Sequence, residues 1–437
     1  MTNATVMLWG KAIGAVGWDE KAGIANFEYD PAFAGSNIEV APLTMPLSTS
    51  IYSFPALPRD TFHGLPGLLA DSLPDAFGNA LIDAWLAREG RDPNSFNPVE
   101  RLCYTGSRGM GALEYKPAIG ILGKKSTPVD VQKLVELASK ILTKREKLRA
   151  SFAPTDEEDS LSDILRVGTS AGGARAKAVI AWNPETDEVR SGQVKAEKGF
   201  SYWLLKFDGV SGNKDKELED PVGYGLIEYA YYKMALAAGI EMTECRLLKE
   251  NGRSHFMTRR FDRSDSGRKI HMLSLGAIQH FDFKKAGVYS YEQVLRIIRK
   301  LGMPMNRIEE QFRRMAFNII GRNQDDHVKN ISFLMDRSGI WSLSPAFDMT
   351  YSYNPVGDWT GIHQMMLNGK RDNFSIEDFQ ACARNISMKS GRAEEILQQV
   401  QKVILRWMEF ARKAGVPNEF AKKIAKAHRT DILDSGS

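Results

Sequence analysis

Eight residues, N-Q-D-D-H-V-K-N at 323–330, gather two carboxylates, a histidine, a lysine and two asparagine amides. Such a run is either a polar surface turn or a loop that holds a divalent cation and a reacting hydroxyl. Asp325 and Asn330 stand in a D-x-x-x-x-N spacing. In phosphoryl-transfer loops that spacing lets the aspartate accept the proton of an attacking hydroxyl while the asparagine oxygen helps bind Mg²⁺. Asp326 competes for the role of base, and the spacing selects Asp325. His327 reads as local hydrogen-bond support for the loop.

Three further groups fit the same chemistry. The segment after the loop, ISFLMDRSGIWSLSPAFDMT, reads as strand, turn at Asp336–Gly339, strand, and then Asp348. A hairpin would return Asp348 toward Asn330, and a carboxylate with an amide oxygen suits a hard cation such as Mg²⁺. Upstream, VGTSAGGARAKAVI at 167–180 carries Gly168, Gly172 and Gly173, whose missing side chains let backbone N–H groups approach a phosphate. It is not a Walker motif, because Ala174-Arg175 follows Gly173 where Lys-Ser/Thr is required. Lys177 then leads into a strand. Lys206 sits inside YWLLKF, where an unpaired ammonium is costly to bury. Glu228, on the following helix, is its expected ion partner. A plain hairpin and a solvent-facing edge lysine are the competing readings of these two stretches.

The elements that must position these groups follow from periodicity. Near the N-terminus VMLWG, IGAVGW and ANFEYD read as strands, followed by a helical stretch rich in Gly and Pro. Thr127-Pro128 predicts the start of a helix whose apolar stripe is Val131, Leu134, Val135, Ala138 and Leu142. The acidic segment 151–163 reads as an exposed connector. Strands are expected at 178–182, 202–207, 245–248 and 254–258. A helix with Ile227, Ala230, Tyr231, Met234, Ala235 and Ala238 on one face lies among them and stops at Gly239. Beyond about residue 260 the pattern turns helical. Ser290 with Gln293 resembles a capping box. Val294, Ile297, Ile298 and Leu301 follow as one stripe, and Phe312, Met315, Ala316 and Ile319 as the next, ending at Gly321. The chemical loop begins there.

With 437 residues the chain exceeds one ordinary core. Hydrophobic residues at 43% and charged ones at 26% argue against disorder. No apolar run approaches a membrane span, the first residues lack signal-peptide character, and three scattered cysteines make neither a disulfide framework nor a zinc pattern. A reducing, cytoplasmic setting is therefore expected. The net charge of +4 is too small to mark a nucleic-acid binder, although basic clusters occur at 144–149 and 422–429. Each reads first as a solvated helix face and second as a contact for an anionic partner.

Glycine-rich loop, strand lysine, helix glutamate, a possible hinge at Arg259–Phe261, Asp-x₄-Asn and a later Asp follow the linear order of a kinase-like nucleotide site. The stretches GTSAGGARAK, RRFDR (259–263), DDHVKN and SPAFDMT resemble the HipA serine/threonine kinases, toxin halves of bacterial type II toxin–antitoxin systems. FHGLPGLLADSLPDAFGNALI resembles their N-terminal portion. The resemblance implies an α+β, bilobal protein-kinase-like fold. Its parts would be a HipA-type N-terminal region (1–150), a β-rich N-lobe with the Gly-rich loop (151–258) and an all-helical C-lobe with the catalytic loop (259–437). It implies ATP and Mg²⁺ as cofactors and Asp325 as general base, with Asn330 and Asp348 on the metal. Nucleotide contacts would come from Gly172, Gly173, Ala174, Arg175, Lys177, Lys206, Arg259, Arg260, Phe261, His327 and Asp348, and Lys206 would pair with Glu228. Ser170 matches the family's autophosphorylated serine, and a phosphate there would repel the phosphates of ATP, giving self-inhibition. The implied partners are a HipB-like helix-turn-helix antitoxin, operator DNA bound through that complex, and a protein substrate such as an aminoacyl-tRNA synthetase. Asp348 is followed by Met349-Thr350, unlike the D-F-G of eukaryotic kinases. The alternative is a kinase-like phosphotransferase for a small molecule.

Overall fold

The computed structural model describes residues 2–92, 95–119, 128–144, 175–193, 195–210, 223–264 and 266–433. The chain forms two compact units. The first comprises Met1–Val222, Leu248–His280 and Leu334–Ile340, and the second Gly223–Leu247, Phe281–Phe333 and Trp341–Ser437.

The first unit opens with β1 (Asn3–Leu8), β2 (Lys11–Asp19) and β3 (Ile24–Tyr29), joined by β4 (Leu113–Lys116) in the antiparallel order β3-β2-β1-β4. Along β1, Ala4, Val6 and Leu8 are buried while Asn3 and Thr5 face water, the period-two pattern of a sheet with one wet face. Trp9 and Gly10 both adopt positive φ, which suits a tight hairpin whose twist matches its strands. The returning strand β4 was not legible in the sequence. Between β3 and β4 lies the helix Ala76–Arg88, capped by Asp75, whose side chain accepts from Gly78 N at 2.7 Å.

A second sheet contains β5 (Lys177–Trp182), β6 (Val189–Ser191), β7 (Ser201–Lys206), β8 (Cys245–Glu250) and β9 (Arg253–Arg259), in the order β6-β5-β7-β9-β8. Every residue of β5 is buried, so its apolar run is continuous rather than alternating. Helix Val131–Lys144 shares this core through Val131, Leu134, Val135, Ala138 and Ile141. Its start differs from expectation. Asp130 caps it, accepting from Lys133 N at 3.2 Å, while Pro128 is extended and bridges Arg190. That extended pairing keeps Pro128 outside the helix. A short strand, β10 (His271–Ser274), completes the unit.

The second unit contains most of the helices expected from periodicity. Tyr224–Ala237 buries Ile227, Ala230, Tyr231, Met234 and Ala235, and Gly239 follows it with φ +80°. Tyr291–Lys300 starts at a reciprocal Ser290–Gln293 capping box. Met305–Ile320 buries Phe312, Met315, Ala316 and Ile319. Four helices close the chain: Ile376–Asn385, Arg392–Ile404, Trp407–Ala414 and Asn418–Ala427. The expectation of an all-helical region at 259–437 is corrected, since it carries β10, β11 (Ser332–Met335) and β12 (Trp341–Leu343). The intervening turn is too tight for helix: Asp336 Oδ1 accepts from Ser338 N and Ile340 N, and Gly339 has φ +86°. Among the described residues no helix is long and apolar enough to cross a membrane.

Candidate functional site

The loop at 321–330 is built by its anchors. The helix Met305–Ile320 ends at Gly321, whose carbonyl accepts from Tyr231 Oη at 2.6 Å. A Cβ at Gly321 would lie 2.8 Å from the Phe317 carbonyl, so only glycine fits this exit. Arg322 then takes φ +58° and reverses the chain. Asn323 ties three segments together. Its Nδ2 donates to Asn318 Oδ1 (3.0 Å) and to the Asp348 carbonyl (3.2 Å), while its Oδ1 accepts from Ser352 Oγ (2.6 Å). Farther on, Asn330 Nδ2 donates to the Asp325 carbonyl at 2.8 Å and closes the loop.

The two adjacent aspartates face different surroundings. The Asp326 side chain is fully buried and accepts from Tyr291 Oη (2.6 Å), His363 Nδ1 (2.8 Å) and Gln364 N (2.7 Å). Burial, with the Asp326 charge beside it, drives the Tyr291 phenol well above its ordinary value, so it stays a donor. The Asp325 side chain is 43% exposed. Its Oδ1 accepts from the Trp359 indole N–H at 2.7 Å, and His327 Nε2 lies 3.8 Å away. Among the described residues Oδ2 accepts no hydrogen bond. A carboxylate that is held by one oxygen and accessible at the other can take a proton from a hydroxyl; one enclosed by three donors cannot.

Asn330 and Asp348 are both half-buried. Because the Asn330 amide nitrogen is used on Asp325, its oxygen is the group left to bind a ligand. Asp348 has φ +54°, a left-handed conformation costing roughly 1–3 kcal/mol in a non-glycine residue, although aspartate tolerates it better than most. Among the described residues no three His, Cys, Asp or Glu side chains cluster as a metal cage. One carboxylate and one amide oxygen instead fit Mg²⁺, which keeps several waters and takes its other ligands from phosphates.

In the first unit the two strand lysines meet. Lys177 on β5 and Lys206 on β7 are direct partners in the antiparallel register, so both side chains lie on one sheet face. Both are buried, at 2% and 6% exposure. Like charges opposed in this way are destabilising without an anion nearby. The Asp75 carboxylate, 3.7 Å from Lys177 Nζ, provides one, and Lys206 Nζ lies 5.7 Å from the centre of the Phe256 ring. The result is a sheet face that brings two lysines together beside one carboxylate. Arg175 is buried just ahead of β5.

Arg259 ends β9, opposite Trp203, and Phe261 follows half-buried. Arg260, expected along an adenine edge, turns its guanidinium to Asp262. It donates to Asp262 from Nε (2.9 Å) and Nη2 (2.7 Å). Arg263 joins the same carboxylate at 2.7 Å and donates to the Gly109 and Gly111 carbonyls. Burial raises the Asp262 pKa, but Arg260 and Arg263 outweigh it and hold the carboxyl well below its usual range. This cluster is a structural staple. Glu228, buried at 1% exposure, belongs to helix Tyr224–Ala237 of the second unit, whereas Lys206 belongs to the first. Gly172, Gly173, Ala174 and Ser170 lie outside the described residues, as do Gly168, Thr127, the connector 151–163 and the basic residues 145–149.

Residues 169–428, more than half of the chain, match the family model described as the HipA-like C-terminal domain. Residues 4–116 match the one described as the HipA N-terminal domain. The chain belongs to the HipA family. Among solved structures it resembles HipA of the Shewanella oneidensis MR-1 toxin–antitoxin system, determined with HipB and operator DNA. That match has a TM-score of 0.67 at 16% identity and covers 99% of this chain and 96% of that one. At that identity the likeness speaks to fold. A second match is the Helicobacter pylori proinflammatory kinase CtkA, at 11% identity and TM-score 0.34, covering 60% of this chain and 91% of that one.

Several residues at these sites were not singled out from the sequence: Asp75, Asp262, Tyr291, Trp359, His363 and Arg429. Each is a lone polar residue far along the chain from its partner. Asp262, within RRFDR, was the exception that carried a local signal, since a carboxylate among arginines at that spacing suggests an ion pair.

Proposed function

We propose that this HipA-family chain is an ATP- and Mg²⁺-dependent serine/threonine protein kinase of kinase-like bilobal fold, acting as the toxin of a toxin–antitoxin pair. The carrying observation is the division of labour within the loop: Asp326 is enclosed as an anchor, and Asp325 is presented with one oxygen held by Trp359 and the other available. In this reading Asp325 accepts the hydroxyl proton as the acceptor oxygen bonds to the γ-phosphorus of ATP and the bond from that phosphorus to ADP breaks, releasing ADP. Asn330 and Asp348 hold Mg²⁺, which neutralises phosphate charge when bound. Lys206 and Lys177 supply cationic contacts to phosphate oxygens. Catalysis of this kind rests on positioning and charge rather than covalent chemistry, which suits a rigidly anchored loop.

Family membership supports the toxin reading, and the HipA–HipB–operator complex of the structural relative is the basis for proposing a helix-turn-helix antitoxin and operator DNA as partners. Self-inhibition through phosphorylation of Ser170 belongs to the same proposal. The test is incubation of the purified chain with Mg²⁺ and radiolabelled ATP, with EDTA as control, alone and with aminoacyl-tRNA synthetases as acceptors. Metal-dependent label on protein serine or threonine is expected. Label passing only to a small-molecule acceptor would favour the phosphotransferase alternative.

A further inference from the structure

The C-terminal helix Asn418–Ala427 runs into a segment, Ala427–Thr430, that sits against the entrance of the loop. Arg429 N donates to the Ile320 carbonyl (2.9 Å), and Arg322 Nε donates to the Ala427 carbonyl (2.7 Å). His428 Nε2 meets Tyr231 Oη at 2.9 Å, and that hydroxyl gives its proton to Gly321 O. This stretch is the end of the basic cluster at 422–429, and here Arg429 is buried while the lysines before it are exposed.

The Arg429 side chain extends the contact to the loop itself. Its Nη1 lies 3.0 Å from His363 Nε2, its Nη2 pairs with Asp372, and its guanidinium lies over the Phe374 ring. A guanidinium has donors and no acceptor, so His363 Nε2 must offer a lone pair. The ring proton therefore resides on Nδ1 and is donated to Asp326 Oδ2 at 2.8 Å. Asn318 Nδ2 donates to Tyr291 Oη at 3.2 Å, which turns the phenol proton toward the same carboxylate oxygen. With Gln364 N on Oδ1, both oxygens of Asp326 are held. Asp325 is the next residue back along the chain.

We propose that Arg429 is a positioning residue for the loop: by donating to His363 it fixes the Nδ1–H tautomer, which orients Asp326 and thereby presents Asp325. Arg429, His363 and Asp326 are all three buried, which suits a role exerted through one another. The proposal deepens the kinase reading and rests on it for its kinetic arm, whereas its spectroscopic arm does not.

The experiment uses the full chain with ¹⁵N-labelled histidine, and His363 is assigned by loss of its signals in His363→Gln. Two-bond ¹H–¹⁵N correlations should show Nδ1 protonated and Nε2 bare in the wild type, and Nε2 protonated in part of the molecules in Arg429→Leu. Amide exchange over 323–330 should accelerate at least tenfold in Arg429→Leu, with exchange in β5 and β7 unchanged. The same variant should lose tenfold or more in kcat for phosphoryl transfer while KM for ATP stays within about twofold, and Arg429→Gln, which keeps a donor, should recover part of the loss. A wild-type ring protonated at Nε2, or unaltered exchange over 323–330 in the variant, overturns the proposal. Should Arg429→Leu fail to fold, the same comparison is made with Arg429→Gln, and a wild-type tautomer with a bare Nδ1 is decisive without any variant. Wild-type protein that transfers no phosphoryl group overturns the kinase reading, and the spectrum and exchange then decide the positioning role alone.

Discussion

Two buried carboxylates, Asp326 in the second unit and Asp262 in the first, are enclosed to the same degree and held by opposite means. Asp262 takes two guanidiniums and the Gly111 N–H. Asp326 takes a phenol, a neutral imidazole and a backbone amide, with the guanidinium of Arg429 one step removed. Two cations on one anion leave a cluster with no negative charge to exert at a distance, useful as a staple between Gly109–Gly111 and β9. Neutral donors satisfy the carboxylate without cancelling its charge. The loop thus retains the fields of two neighbouring aspartates, as the proposed cation binding and proton acceptance would require. Donor identity, not burial, separates a structural carboxylate from one that serves a reacting neighbour.

The contrast can be sharpened by variants, and the largest effect should be chemical. Asp325→Asn should lower phosphoryl transfer by about 10²–10⁴-fold, the usual contribution of a general base, with ATP affinity changed less than about twofold. In cells, expression without an antitoxin should arrest growth and Asp348→Ala should relieve it; undiminished toxicity in that variant would separate toxicity from phosphoryl transfer.

Next in size is the staple. Asp262→Asn leaves two buried guanidiniums uncompensated and should cost about 3–5 kcal/mol in urea unfolding at pH 7. The folded Asp262 pKa lies below its unfolded value near 4, so its stabilisation is complete above pH ~4 and is lost as pH falls below that value. The gap in stability between wild type and Asp262→Asn should therefore narrow on acidification below pH ~4; a gap that stays constant would show that the charge of Asp262 is not what the arginines require. Tyr291→Phe, which removes one neutral donor from the charged Asp326, should cost about 1.5–3 kcal/mol, measured the same way. The smallest effect belongs to Trp359→Phe. Losing one N–H on Asp325 Oδ1 should reduce kcat about threefold to tenfold without altering stability by more than about 0.5 kcal/mol.

The sequence disclosed what depends on local spacing. The stripe of helix Tyr224–Ala237, the Ser290–Gln293 box and the strand–turn–strand ahead of Asp348 are short-range patterns, and they were readable. The D-x₄-N spacing singles out Asp325 over Asp326, and the two side chains differ in burial, the first part-exposed and the second enclosed. The Asp326 centre was illegible because Tyr291, His363 and Arg429 lie 35, 37 and 103 positions from it, the last by subtraction of the residue numbers. The pairing of Arg260 with Asp262 was not read from the sequence, because a motif gives a residue's place in the chain but not the direction of its side chain. Thr127-Pro128 was misread because a proline fits the first turn of a helix and an extended edge equally well, and pairing with Arg190 decided between them.

The most direct measurement is label on Ser170 after incubation with Mg²⁺ and ATP, read by mass spectrometry in wild type and in Asp325→Asn, with nucleotide binding checked in both. Phosphate on Ser170 in the wild type alone, at matched ATP affinity, is the expected result. Equal labelling in the variant would contradict it and take the role of base away from Asp325.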